Sequence, residues 1–366
     1  MRRLWLNLHL CIGLGLAALL VPISLTGAVL VWHEPLEALF NPDRYAVTGG
    51  TAQTPAALVK SAQAALPGFA PVSVRLPDDA HSPAVVTVRQ QRSGEGGRAR
   101  QVMAYLDPPT GKLLATAEFR DSVFGWMHRF HENLTVPEWN GRSVVGWSGV
   151  ALLVMSLSGI YLWWPREGFL RGLRYRRGPA TSSNLHHIAG FWISIPLAVV
   201  SATGIYLGFP QQGRELIATV APMTPSQRGG FNAPLLASPR IDADRVAAVA
   251  VDGAAGVESF AIFLPMQSNN MWRVQLRGPD GESTVLIDDR NGSRNVVKPL
   301  PGDRAVQWLR WIHEGSHLGL VWRIVVFICG ILPTLFAVTG TMIWLRSRKG
   351  QMTGKLAGQP QMEAAE

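Results

Sequence analysis

The chain carries nine histidines in 366 residues, and all but His81 lie at or near the ends of long apolar stretches. Ionisable side chains at membrane depth are costly and mark functional positions. Four of these histidines recur in matched contexts. Asn7-Leu-His9-x-x-x-Gly13 returns in the second half of the chain as Asn184-Leu-His186-x-x-x-Gly190. Trp126-x-x-x-x-His131-Glu132 returns as Trp308-x-x-x-x-His313-Glu314. A two-fold relation lets His9 face His186, and His131 face His313. Two imidazoles facing each other at one depth suit axial ligation of haem iron from opposite sides of a helix bundle. Zinc is the main competitor. It wants three or four close ligands, and no cysteine or paired carboxylate stands by His9 and His186.

The other histidines are alternates. His187 is His186 shifted by one residue. His128 precedes His131 by three residues and His317 follows His313 by four, the spacing of metal-ligand pairs on a helix. Neither has a counterpart, since Arg310 stands where His128 predicts a histidine, so both read as supporting or substrate-side groups. His33 also lacks a mate, with Pro210 in its place, and stands as a further candidate ligand. Arg142, Arg323, Arg129 and Arg310 are candidates to pair haem propionates. Snorkelling to lipid phosphate is the competing use. Trp126 and Trp308 either line the second haem or anchor the interface.

Four stretches without Asp, Glu, Lys or Arg must position these groups: Leu4–Trp32, Ser143–Pro165, Gly178–Gly213 and Ile324–Leu345. Each is long enough for a helix of about 20 residues to cross a ~30 Å hydrocarbon core. The spans are expected near 8–32, 143–164, 187–209 and 321–345. His9 to His33 covers about 36 Å of helix, so one haem at each side fits. The basic Arg2-Arg3 start is read as the head of an uncleaved first helix rather than a signal peptide. Cys11 and Cys329 lie in apolar runs, which excludes a disulfide framework and any Cys-based zinc or iron–sulfur site. The chain is 47% hydrophobic, 16% charged and rich in Trp, with thirteen. That composition excludes a basic nucleic-acid-binding domain and fits a membrane protein.

The net charge of +9 then becomes an orientation signal. Residues 34–142 and 210–320 each hold eleven basic and eleven acidic side chains. The excess sits at Arg2 and Arg3, at Arg166, Arg171, Arg174, Arg176 and Arg177, and at Arg346, Arg348, Lys349 and Lys355, opposed only by Glu167, Glu363 and Glu366, with Arg323 completing the count. Short basic loops stay cytoplasmic. Both termini and the middle loop are therefore expected inside a bacterial inner membrane, with the two large neutral segments in the periplasm. The expected division is helix 1 over 1–33, a domain over 34–142, helix 2 over 143–165, a basic loop over 166–186, helix 3 over 187–209, a second domain over 210–320, helix 4 over 321–346 and a tail over 347–366, disordered after Gly350.

Each external segment reads as a small α+β unit. The first has a helix at Thr54–Leu66 and strands at Ser73–Leu76, Ala84–Gln90 and Gln101–Leu106, then a turn at Asp107-Pro-Pro-Thr-Gly111. The second has a helix at Asp242–Val251, strands at Ser259–Leu264, Met271–Arg277 and Ser283–Ile287, then Asp288-Asp-Arg-Asn-Gly292. Further matches keep the order: Ser24-Leu-Thr-Gly27 with Ser201-Ala-Thr-Gly204, Arg142 with Arg323, Gly149 with Gly330, and Ser158-Gly159 with Thr339-Gly340. The fold class expected is an α-helical membrane protein: a four-helix transmembrane bundle built from a duplicated helix, α+β domain, helix unit.

Leu8-His9-x-x-x-Gly13, Thr26-Gly27, Gly159-Ile-Tyr-Leu-Trp-Trp-Pro165, Leu185-His186-x-x-x-Gly190, Thr203-Gly204 and the Asp107-Pro-Pro-Thr-Gly111-Lys112 turn resemble the PepSY-associated transmembrane family over about residues 1–348. Among its members the chain looks most like inner-membrane ferrisiderophore reductases of the FoxB type. That resemblance implies two PepSY-like periplasmic domains, two b-type haems, and electron delivery to a ferric hydroxamate siderophore such as ferrioxamine. The electron donor stays open between quinol and a cytosolic reductase. Two other functions compete: a siderophore or iron permease, and a regulatory or peptidase-modulating membrane protein. Four helices without charged interiors argue against a wide polar pathway.

Overall fold

The computed structural model describes residues 1–90, 99–164, 181–225, 234–253, 255–279 and 281–357. The basic-loop residues Arg166, Arg171, Arg174, Arg176 and Arg177 lie outside the described residues, as do Glu167, Glu363 and Glu366. The chain divides into two compact units. One holds residues 1–32, 127–220 and 305–366, and the other holds 33–126 and 221–304.

The first unit is helical. Among the described residues, three helices are long and apolar enough to span a membrane: α6 (Gly141–Trp163), α7 (Thr181–Gly208) and α11 (Gly319–Ala357). The pair α1 (Arg2–Gly15) and α2 (Ala17–Val31) passes the same test only together and is bent by 69°, which makes it a broken span or a re-entrant turn. The single straight helix expected over 8–32 is therefore broken. Leu16 leaves the helical region with φ −103° and ψ 1°, directly after Gly15, where the missing side chain makes a bend cheap. Helix α7 starts six residues before the expected 187. Helix α11 runs on to Ala357, past Gly350, after which disorder is expected.

The helices pack as α6 on α7, α7 on α11, α2 on α11 and α1 on α6. Small residues make the close contacts, as in lipid-embedded bundles. A β-carbon on Gly208 would lie 2.7 Å from the Gly146 Cα. Buried hydroxyls satisfy themselves on their own helix: Ser156 donates to the Leu152 carbonyl at 2.9 Å and Ser201 to that of Leu197 at 2.7 Å. Two short helices, α5 (Val123–Asn133) and α10 (Pro301–Glu314), lead into α6 and α11. Helix α8 (Pro210–Ala218) follows α7, and α3 (His33–Phe40), which follows α2 in the chain, belongs to the second unit.

The second unit is one antiparallel sheet of eight strands, ordered β4-β3-β2-β1-β5-β6-β7-β8. The strands are β1 (Phe69–Arg75), β2 (Ala84–Gln90), β3 (Gln101–Leu106), β4 (Leu113–Ala117), β5 (Glu258–Phe263), β6 (Met271–Gly278), β7 (Gly281–Asp288) and β8 (Arg294–Val297). Helices α4 (Pro55–Ala65) and α9 (Ala243–Val251) lie on one face, N-capped by Thr54 and Asp242. The two external domains expected from sequence are thus a single unit. Strand β1 pairs with β5 through Ser73↔Phe263, Val74↔Ile262 and Arg75↔Ala261, and one core runs through both halves, with Leu58, Val74, Val86, Val246, Ile262, Val274 and Ile287 all fully buried. The physical reason is that each half alone would leave a strand edge unpaired and an apolar face half covered. Asp244 on α9 seals the join by accepting from the Ala56 N–H of α4 at 2.8 Å.

The turn aspartates do structural work. The Asp107 carboxylate is buried and accepts from the Thr48 N–H at 2.9 Å, the Thr48 hydroxyl at 2.8 Å and the Thr110 hydroxyl. In the other half the role shifts by one residue. Asp289, also buried, accepts from the Arg240 N–H at 2.9 Å, the Ile241 N–H at 3.1 Å and the Trp272 indole at 2.9 Å.

Candidate functional site

His9 sits on α1 and His186 on α7. The His9 Nδ1 is 2.8 Å from the Ser158 Oγ on α6. Ser158 donates its own proton to the Met155 carbonyl at 3.1 Å, so the hydroxyl oxygen accepts and His9 Nδ1–H donates. The counterpart is equivalent: His186 Nδ1 is 2.8 Å from Thr339 Oγ1, and Thr339 donates to the Leu335 carbonyl at 2.7 Å. The two imidazoles lie within electrostatic reach of each other. Phe336 meets His186 edge-on at 5.2 Å.

His131 and His313 come from α5 and α10. Their Nδ1 atoms reach main-chain carbonyls of spans: His131 to Ile23 of α2 at 2.8 Å, and His313 to Val200 of α7 at 2.9 Å. A carbonyl only accepts, so both Nδ1 atoms are protonated. The two ring centroids are 6.1 Å apart with the planes inclined at 42°. Glycine makes this reach feasible. A β-carbon at Gly27 would lie 2.6 Å from His131 Cε1, and one at Gly204 would lie 2.8 Å from His313 Cε1. Gly159 and Gly340 take the same station beside His9 and His186, at 3.7 and 3.5 Å.

Each of the four histidines therefore faces a hydroxyl–glycine dipeptide: Ser158-Gly159, Thr339-Gly340, Thr26-Gly27 and Thr203-Gly204. In all four the Nδ1–H is spent and Nε2 is the nitrogen left to bind something else. Metal-ligating histidines are oriented in this way. The dipeptides are visible in the sequence as repeat markers, but their contact with the histidines is not. The Ile23 and Val200 carbonyls carry no residue-type signal at all.

The remaining candidates lie elsewhere. His187 is exposed, while His186 turns to Thr339. His33 begins α3 and joins neither pair. His128 is 3.7 Å from Glu132, and His317, at φ +60°, lies 4.8 Å from the Trp311 ring. Arg142 and Arg323 each meet the end of a span. Arg142 donates to the Leu207 carbonyl at 3.1 Å and pairs with Glu132 at 3.1 Å. Arg323 donates to the Val31 carbonyl at 2.8 Å and lies over Trp32. Both satisfy carbonyls that the ends of α7 and α2 leave open. Arg310 pairs with Glu314 at 3.8 Å. Arg129 differs, because its Nη1 is buried with no hydrogen-bond partner. Trp126 and Trp308 are about half exposed, as interface anchors are. Among the described residues, no three of His, Cys, Asp and Glu converge on a point where a metal ion could be caged.

The family model of the PepSY-associated TM region matches residues 6–347. No curated protein matches the chain.

Proposed function

The chain belongs to the PepSY-associated transmembrane family, and from that premise we propose that it is a di-haem b membrane oxidoreductase which carries electrons across the bilayer to a ferric siderophore. The observation that carries this reading is the set of four imidazoles fixed through Nδ1 in two pairs. Two imidazoles on one iron, each nitrogen ~2 Å from the metal, have ring centres roughly 6 Å apart. The His131 and His313 centroids are 6.1 Å apart. Gly27 and Gly204 let the His131 and His313 rings seat against their spans, and the unpartnered Arg129 Nη1 suits a propionate.

His9 with His186, and His131 with His313, would hold a haem each, and such a group would supply one-electron transfer. The chain's own residues do the rest. Ser158, Thr339 and the Ile23 and Val200 carbonyls hold each imidazole in one tautomer and one orientation. In this reading His9 and His186 lie at the cytoplasmic side of a bacterial inner membrane, with Arg2, Arg3, Arg346, Arg348 and Lys349 as the retained positive charge. The sheet unit is periplasmic, the chain is an internal duplication, and quinol or a cytosolic reductase supplies the electrons. The substrate is a ferric hydroxamate. Fe(II) is held more weakly than Fe(III) by hard oxygen ligands, so reduction frees it.

Purified full-length protein in nanodiscs tests this. Two haems per chain are expected, with a dithionite-induced α band that a ferric hydroxamate bleaches while a ferrous chelator reports Fe(II). A purified chain without a Soret band would overturn the reading.

A further inference from the structure

The two histidines of the first pair sit on helices of unequal footing. His186 lies in α7, which runs unbroken from Thr181 to Gly208 and buries seven of its residues. Around His186 it is tied to α11, where Arg346 donates to the Ser182 hydroxyl at 3.0 Å and Thr339 meets His186 itself. His9 lies in α1, which buries none of its residues. Contacts with α6 hold it. Arg2 donates to the Leu162 carbonyl at 2.9 Å, the Trp5 and Tyr161 rings are 6.1 Å apart, and His9 meets Ser158 and the Met155 carbonyl. Helix α1 also lies beside α11. At its far end the chain turns by 69° directly after Gly15, where a β-carbon would meet nothing within 4 Å. The counterpart of Leu16 in the repeat is Ile193, which is buried inside the unbroken α7 with Leu197 and Cys329 in one cluster.

We propose that α1 is a hinged arm, which presents His9 to the His9/His186 site and transiently releases it, while α7 keeps His186 in place. The cost of opening a segment follows the contacts it buries, and a helix without buried residues stands at the low end of that scale. Gly15 lets the backbone turn at the hinge without a steric penalty. The Ser158 hydroxyl is the latch, since it holds the His9 ring at the arm's working end. This role rests on the di-haem reading for what His9 binds, and adds that the two imidazoles of that site are unlike: one is exchangeable and the other fixed. While His9 is withdrawn, one coordination position is open to a small neutral ligand. The exchange is a substitution. The bond from the His9 Nε2 breaks, the bond from the incoming ligand forms, and no electron or proton changes hands.

Matched positions make the test. Leu8 and Leu185 precede the two histidines in the repeat and are similarly exposed, at 39% and 43%. Nitroxides at Leu8→Cys and Leu185→Cys, with Cys11 and Cys329 replaced, are compared in the full-length protein in nanodiscs. In the haem-free chain the label at position 8 is expected to show a mobile component that the label at position 185 lacks, and haem is expected to remove it. Equal mobility at both positions overturns the inference, whether or not haem binds. In the dithionite-reduced holoprotein, carbon monoxide is the probe ligand. Its uptake is expected at a rate that stops rising with its concentration, because release of His9 sets the limit. Ser158→Ala is expected to raise that limiting rate about tenfold, the size of one lost hydrogen bond, and Thr339→Val to leave it unchanged. No uptake by the wild type, or the same change in both variants, overturns the inference and leaves the parent reading standing. A wild type without two haems overturns the parent reading. In that case, or should Ser158→Ala shed its haem, the nitroxide pair in the haem-free chain decides on the arm alone.

Discussion

At the scale of single residues, the glycines beside the imidazoles decide whether the site forms. Gly27 and Gly204 are expected to tolerate no side chain, since the added carbon would meet a ring at 2.6–2.8 Å. Gly27→Ala should therefore lower the haem content of the purified protein towards one per chain, measured as pyridine haemochrome. Gly159→Ala, where the ring is 3.7 Å away, should keep both. A second residue-scale expectation concerns Asp107. Burial alone would raise its carboxyl, but hydrogen bonds from Thr110 and Thr48 outweigh burial and hold it below the ordinary carboxylate range. A folded-state value below the unfolded one gives stability that is fully present above about pH 4 and is lost as pH falls through the folded value. Amide exchange around Thr48 should accelerate on acidification in the wild type. Asp107→Ala should show that acceleration already at neutral pH, with a cost of about 1–3 kcal/mol for the stranded donors. Unchanged exchange in the variant would rule out this role.

At the scale of elements, α3 and α8 stand out, since each follows a span and is amphipathic. Leu39 on α3 and Leu216 on α8 are separated by the same interval as His9 and His186, and are 70% and 71% exposed. Phe40 adds a further exposed apolar side chain. Helices of this kind lie in the headgroup plane with the apolar face down. Nitroxides at Leu39→Cys and Leu216→Cys, with Cys11 and Cys329 replaced, should be more accessible to oxygen than to an aqueous relaxant in nanodiscs, and one at Gln211→Cys should show the reverse. Aqueous accessibility at the leucine sites would sink the assignment. The sequence announces most elements at this scale. The apolar spans and the helices capped by Thr54 and Asp242 are legible because hydropathy and capping are local signals. The break at Leu16 is not, because a glycine permits a bend without requiring it. Strands β4 and β8 are short and lie at the edges of the sheet, so neither Leu113–Ala117 nor Arg294–Val297 carries a long alternation.

At the scale of the whole molecule, what sequence conveys is the pairing of like with like, and what it withholds is which edges meet. His9, His186, His131 and His313 stand out because their contexts repeat. Arg142 and Arg323 also repeat, yet they cap helix ends, because repetition marks a shared position and not its chemistry. Matched variants should then behave alike: His9→Ala and His186→Ala should each remove the same haem, and His131→Ala and His313→Ala the other. Loss of different haems within one pair, read from the two paramagnetic signals, would break the pairing. The sheet carries one more consequence. Val74 pairs with Ile262, and the caps Thr54 and Asp242 are separated by the same interval along the chain. The two halves thus meet symmetrically about the Val74–Ile262 pair, with Ser73 facing Phe263 and Arg75 facing Ala261. In the duplication proposed above, a half-length ancestor would have had to find a second copy of itself by diffusion in the membrane. Fusing the copies turns that encounter into a tethered one at an effective concentration of about millimolar. Assembly no longer depends on expression level, and each half is free to drift alone, as the move from Asp107 to Asp289 illustrates.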